Sequence, residues 1–205
     1  MEQNHVAHTE HFDPVASKIG MWLFIFTEIL LFGGLFIVYS VYRYKHGVEF
    51  HLAAEELDVT IGLINTIILL ISSMTVAMSI TALQLGNRKL SMMLIAATIL
   101  LALIFLVNKY FEWGAKIHHD IYPGSEFLLS LSKGDMLFFG LYFFMTGLHA
   151  IHIIVGVALL AVVYFKVKNG SVNKDRVSLL ENGGLYWHLV DLIWIFLFPL
   201  FYLIH

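Results

Sequence analysis

Five stretches of this chain run for about twenty residues or more with almost no charge, and they constrain the fold more than any other feature. Ile19 to Tyr42 holds a single charged residue, Glu28. Val59 to Gly86 (28 residues), Leu90 to Asn108 (19) and Met136 to Phe165 (30) hold no Asp, Glu, Lys or Arg, although His149 and His152 lie inside the third of these. The fifth, Gly184 to Ile204, carries His188 and Asp191. A helix needs about 20 apolar residues to cross a bilayer core, and backbone polar groups in lipid must be satisfied within the segment. Runs of this length exceed the roughly ten alternating residues of a barrel strand. The expected fold is all-α: a polytopic membrane protein built as a bundle of five transmembrane helices, at about 19–43, 59–86, 90–113, 136–166 and 184–204.

Composition narrows the function classes. Only 13% of the 205 residues are charged and 59% are apolar, against roughly a quarter charged in an ordinary soluble domain. With no cysteine there is no disulfide framework, thiolate metal site or thiol nucleophile. A net charge of −3 without a basic block argues against nucleic acid as a partner. Residues 1–18 read as a polar arm, lacking the basic segment and short apolar core of a cleavable signal, and 19–205 as one transmembrane domain. The short "NRK" between the second and third helices makes them adjacent and antiparallel, and the stretch from Gly114 to Asp135 has room for a turn or an interfacial helix. On the second helix Ser73, Ala77 and Thr81 follow the small-xxx-small spacing that lets membrane helices approach closely.

Cytoplasmic loops carry an excess of Lys and Arg. Lys18, Arg88, Lys89, Lys166, Lys168, Lys174 and Arg176 fall on the N-terminal side of the membrane, against Arg43, Lys45, Lys109, Lys116 and Lys133 on the other. Seven against five favours a cytoplasmic N-terminus and a C-terminus facing out.

Ionisable residues inside a membrane are functional suspects, because each costs about 2.5 kcal/mol or more at the helix centre. Glu28 lies about 13 Å into its helix at 1.5 Å per residue, with no Lys or Arg in the same span. It is expected to sit there as a neutral hydrogen-bond donor or a slow proton acceptor. In "GLHAIHIIVG", His149, His152 and Gly156 share one helical face, and His188 could join them from another helix. That set admits a haem or metal site as well as plain structural hydrogen bonding. In "YWHLVDLIWIFLF", His188 and Asp191 stand three apart on one face, so the carboxylate can pair with the imidazole or with a polar group across the bundle. Trp187, Asp191, Trp194 and Phe198 form a second stripe suited to packing. The residues alone leave open a structural subunit, a haem protein using His149 or His152 with His188, and an ion or solute carrier using Glu28.

These motifs carry a resemblance. "YWHLVDLIWIFLF" resembles the last helix of subunit III of haem-copper terminal oxidases, where tryptophan, histidine and aspartate stand in this order. "GLHAIHIIVG" is similar to that family's penultimate helix, and "LFIFTEILLFGGLF" to its first helix after an N-terminal pair found only in longer members. "NRK", "YFEW" at Tyr110 to Trp113, and Glu181 seven residues before His188 also fall where the family has them. The resemblance runs from about Ile19 to the C-terminus and matches the five-helix bacterial type.

It implies a non-catalytic subunit of a cytochrome c or quinol oxidase in the bacterial inner membrane. The chain would hold no cofactor of its own, haem and copper being in the partner subunit I. It would bind phospholipid in a helical cleft, stabilise subunit I and support its proton uptake during proton-pumping oxygen reduction. Subunit II and small subunits would be further partners. By position, Glu28 is the buried carboxylate of the cleft and Lys166 the lipid headgroup candidate. Glu112, His149, His152, Glu181, His188 and Asp191 make up a structural polar network, with no catalytic or metal-ligating residue implied. The accessory subunit of nitric oxide reductases is the nearest variant.

Overall fold

The computed structural model describes residues 14–174 and 176–204, and among these it contains helices and no strands. Five helices are long and apolar enough to cross a membrane. We number the elements α1 (Pro14–Lys45), α2 (Gly47–Glu55), α3 (Val59–Gln84), α4 (Arg88–His118), α5 (Glu126–Ser130), α6 (Lys133–Lys168) and α7 (Ser178–Phe198), the last followed by a π-helical turn at Pro199–Leu203. The spans are α1, α3, α4, α6 and α7. Residues 1–13 of the expected arm lie outside the described residues, and α1 already begins at Pro14.

Side-chain caps set several boundaries. Asp58 accepts from the Thr60 and Ile61 amides and starts α3, while Asn87 accepts from Leu90 N and starts α4. Ser132 and Asp135 form a reciprocal capping box that starts α6 at Lys133, three residues earlier than expected. The α3–α4 turn is Leu85–Gly86–Asn87, with Arg88 and Lys89 already helical. Gly86 takes φ +79°, a backbone region open to glycine at little cost.

Helices α3 and α4 pack along seams spaced alternately three and four residues. Gly62, Asn65, Leu69, Ser72, Val76, Ser79 and Leu83 are buried on α3, and Ser91, Ile95, Thr98, Ala102, Phe105, Lys109 and Glu112 on α4. This spacing is that of a left-handed coiled pair, and its small residues bring the backbones close. The stripe expected from the sequence, Ser73–Ala77–Thr81, lies off the seam: Ala77 and Thr81 are exposed. Thr75 Oγ1 and Thr98 Oγ1 bond at 2.8 Å, and Asn108 Nδ2 donates to Asn65 Oδ1 at 2.9 Å across the pair.

Helix α7 forms the centre of the bundle. In its most apolar stretch 61% of the residues are buried, against 11% in α1, which lies at the periphery. The Trp187–Asp191–Trp194–Phe198 stripe is buried and faces α3, where Trp187 Nε1 donates to Ser72 Oγ and Trp194 Nε1 to Thr66 Oγ1, both at 3.0 Å. Against α6 the fit depends on Gly156, where an added Cβ would lie 2.8 Å from the Trp187 ring.

Candidate functional site

Among the described residues, two hydrogen-bonded acid–base groups stand out within the membrane-spanning helices. The first is built on the α1–α6 contact. Glu28, from the middle of α1, places Oε2 3.0 Å from His152 Nε2 on α6, and each side chain is 13% exposed. The carboxyl expected to lack a basic partner therefore has an imidazole as its partner. His152 Nδ1 lies 2.8 Å from the Leu148 carbonyl. A carbonyl can only accept, so Nδ1 carries a proton, and the contact on the other side needs one further proton between Nε2 and Oε2. Whether that proton sits on oxygen or nitrogen, the pair is neutral overall and pre-aligned for transfer along one hydrogen bond. Phe32 meets the His152 ring edge-on at 5.4 Å, and Tyr186 Oη donates to the His152 carbonyl at 3.0 Å. The pair thus sits in an aromatic collar on the rim of the bundle.

The second group is closed off from the surface. Lys109, 1% exposed, and Glu112, 6% exposed, are i and i+3 on α4, with Nζ 3.1 Å from Oε2. Lys109 uses its other two protons on Tyr142 Oη of α6 and Tyr202 Oη of the π turn, each at 3.1 Å. Both phenols donate in turn to Glu112 Oε1, Tyr142 at 2.5 Å. All three ammonium protons are used, and the carboxylate accepts three hydrogen bonds. Four aromatic rings surround the cation, with Trp113, Tyr142, Trp194 and Tyr202 centroids 5.0–5.7 Å from Nζ. The ring is charge-balanced and joins α4, α6 and the end of α7.

The candidates read from the sequence do not include Lys109, Tyr142 or Tyr202. The charge tally assigns Lys109 to one side of the membrane, although it falls within the expected 90–113 helix; in the structure α4 continues to His118 and the lysine is buried. The signal available was the i, i+3 spacing of Lys109 and Glu112.

The remaining candidates do not form one network. Glu181 lies 3.5 Å from Lys18 Nζ and accepts from Gln84 Nε2 at 3.3 Å, tying the start of α7 to α1 and α3. The His188–Asp191 pairing is not made. His188 Nδ1 bonds Ser73 Oγ at 2.7 Å, and neither Asp191 oxygen meets hydrogen-bond geometry, although Ser73 is the polar side chain beside it. Both groups face Ser73 of α3, and its hydroxyl bonds the imidazole. His149, fully buried, stacks on Trp194 at 5.2 Å and meets the Phe105 edge at 5.8 Å, with no hydrogen bond at either ring nitrogen. Lys166 is exposed in the last turn of α6. His149, His152 and His188 thus pack against different partners, and among the described residues no group of three His, Asp or Glu converges as metal ligands.

The family model described as cytochrome c oxidase subunit III matches residues 2–205. A heme-copper oxidase subunit I+III of Aeropyrum pernix is 31% identical over 96% of this chain and 24% of its own length. A probable quinol oxidase subunit 3 of Staphylococcus saprophyticus is 28% identical over 92% of this chain and 89% of its own. A probable cytochrome c oxidase subunit 3 of Rickettsia felis is 31% identical over 97% of this chain and 73% of its own.

Proposed function

The chain belongs to the cytochrome c oxidase subunit III family, and from that premise we propose that it supports a respiratory oxygen reductase by holding lipid against α1 and stabilising subunit I. The family does not carry the metal centres of these oxidases, so the work assigned to this chain is structural and protonic. The observation that carries the reading is the placement of the Glu28–His152 pair. It lies on the rim, on the least buried span, where it borders whatever covers α1. Trp22, Leu23, Phe26, Leu30 and Ile37 of α1 are more than half exposed, an apolar face suited to acyl chains or a neighbouring subunit. The relative with subunits I and III in one chain supports subunit I as the neighbour.

In this reading Lys166 meets a lipid phosphate at one end of the bundle, as a point charge. Glu28 and His152 lie in the cleft wall and lend it one exchangeable proton. In this reading the N-terminus lies in the cytoplasm and the C-terminus outside, across a bacterial plasma membrane, an orientation supported by the excess of basic residues on the N-terminal side. The test is removal of the subunit from the purified complex. The depleted enzyme is expected to start oxygen reduction at close to the normal rate and to inactivate within fewer turnovers. Loss of nearly all initial activity on depletion would overturn the reading.

A further inference from the structure

Helix α1 is held differently in its two halves. Past its midpoint it is bound by buried aromatic packing. Phe32 and Tyr39 are fully buried, and Tyr39 meets the rings of Phe50 and Phe201 edge-on at 5.4 and 5.1 Å. The Tyr39 hydroxyl donates to the Leu200 carbonyl at 2.8 Å, and Arg43 Nη1 to the Ile204 carbonyl at 2.5 Å. This half is fixed to α2 and to the segment 199–204.

Before the midpoint, over 16–31, Ile25 alone among the described side chains is buried. The other attachments are single contacts at the edge of the bundle. Asn182 Nδ2 donates to Ser17 Oγ at 2.8 Å, and Lys18, its side chain 54% exposed, lies 3.5 Å from Glu181. The Phe24 ring stacks on Tyr186 at 5.8 Å, and Glu28 meets His152 at 3.0 Å. A segment with so little packed surface to uncover opens at low cost.

Gly33 and Gly34 stand between the two halves. A Cβ added to either would meet no atom within 4 Å, so neither glycine serves a close approach between helices. Glycine is a poor residue for a helix interior, and glycine-containing pairs are among the few places where helices bend sharply. Packing gives no reason for the pair, and pliancy does.

We infer that α1 is a hinged gate. Its N-terminal half swings away from α6 and α7 about Gly33–Gly34 while its C-terminal half stays fixed, and Glu28–His152 is the latch. At 1.5 Å per residue the lever from Gly33 is about 7.5 Å to Glu28 and about 21 Å to Ile19. A bend of about 20° moves these points by about 2.6 Å and about 7 Å. The first breaks the latch, and the second opens the α1–α6 seam from the end where Lys18 lies, so that water reaches the carboxyl. The gate rests on how α1 is anchored, independently of the lipid and subunit I roles proposed above.

The test is distance measurement by pulsed electron resonance in the purified complex. The chain has no cysteine, so spin labels go on introduced pairs at exposed positions. Trp22→Cys with Val162→Cys reports the N-terminal half of α1 against α6, and Tyr44→Cys with Phe144→Cys the C-terminal half. The first pair is expected to give two distance populations several ångströms apart, and the second pair one. Gly33→Ala with Gly34→Ala, which adds methyl groups only in open space, is expected to cut the longer population at least threefold. Glu28→Ala, which removes the latch, is expected to raise it at least threefold. A single distance for the first pair in both the parent and Glu28→Ala would overturn the gate. So would a longer population that the two alanines leave unchanged, since the pivot would then not be the glycine pair.

Discussion

Two of the ionisable pairs among the described residues of the membrane-spanning helices, Lys109–Glu112 and Glu28–His152, solve the same problem in opposite ways. Lys109–Glu112 is enclosed, with both phenols, three ammonium protons and three carboxylate bonds closing on one another. Glu28–His152 is a single contact on the rim, 13% exposed on each side, held by one further bond to a carbonyl. Burying charge is expensive unless every valence is met, and the closed ring meets them with residues from three elements. The rim pair meets the same demand with one shared proton and stays open to what lies beside α1. A closed ring is suited to fixing helix positions, and an open pair to exchanging a proton or contacting lipid.

The comparison breaks most sharply at Lys109. Lys109→Met leaves Glu112 buried with only the phenols, and removing one partner of a buried pair costs about 3 to 5 kcal/mol. The variant is expected to unfold at much lower temperature in detergent and to be lost from the complex. Lys109→Met with Glu112→Leu should recover most of the loss, since an apolar replacement of the whole pair is often neutral. Equal instability of the single and double variants would show that the ring depends on packing alone and has no electrostatic closure.

A hydrophobic carbodiimide compares the two carboxyls directly. It attacks protonated carboxyl groups and approaches from the lipid. Glu28 is expected to label several-fold faster than Glu112, whose oxygens are engaged by Lys109, Tyr142 and Tyr202. Peptide mapping by mass spectrometry reads the ratio, and preferential labelling of Glu112 would reverse the assignment of closed and open sites.

Much of this contrast follows from what a sequence can display. The five spans are legible because uncharged runs of that length have few other uses, and Glu28 stands out as the one charge in its run. Lys109 escapes because it sits one residue beyond an uncharged run, where a lysine is ordinarily a loop charge. Only the three-and-four spacing from Ser91 through Glu112 places it on the buried seam. The same spacing on α3 selects Ser72 and Ser79, one register away from the Ser73–Ala77–Thr81 stripe that small-residue spacing alone suggests. The Glu28–His152 contact joins two helices far apart in the chain. Which face of α1 meets α6 depends on tertiary packing, and no local pattern carries it.

Glu28→Gln sharpens the open side of the comparison. The amide can still donate to His152 Nε2, so the contact survives without an exchangeable acidic proton. Polar contacts between membrane helices average about 0.6 kcal/mol, and the variant is expected to lose less than that, with its initial oxygen-reduction rate near normal. Carbodiimide sensitivity at this position should vanish. Destabilisation as large as that of Lys109→Met would place Glu28–His152 in the closed class.

Asp191 carries the smallest expected effect and tests whether there is a third class. From the sequence it was expected to bond His188 or a neighbouring helix, and breaking such a bond would cost about 1 to 3 kcal/mol. The structure gives that bond to Ser73, while Asp191, 4% exposed, has no hydrogen-bond partner. The polar side chain beside the carboxyl is Ser73, so an isosteric amide has at most that one contact to lose. Asp191→Asn keeps the shape of the side chain and removes an ionisable group, and is therefore expected to shift stability by less than the roughly 1 to 3 kcal/mol that a broken buried bond costs. Thermal unfolding of the purified complex and retention of the subunit through detergent washes read this out. If Asp191→Asn instead strips the subunit as Lys109→Met should, the carboxyl acquires a partner on assembly that the chain does not supply. Asp191 would then be a third kind of membrane carboxyl, one completed from outside the chain.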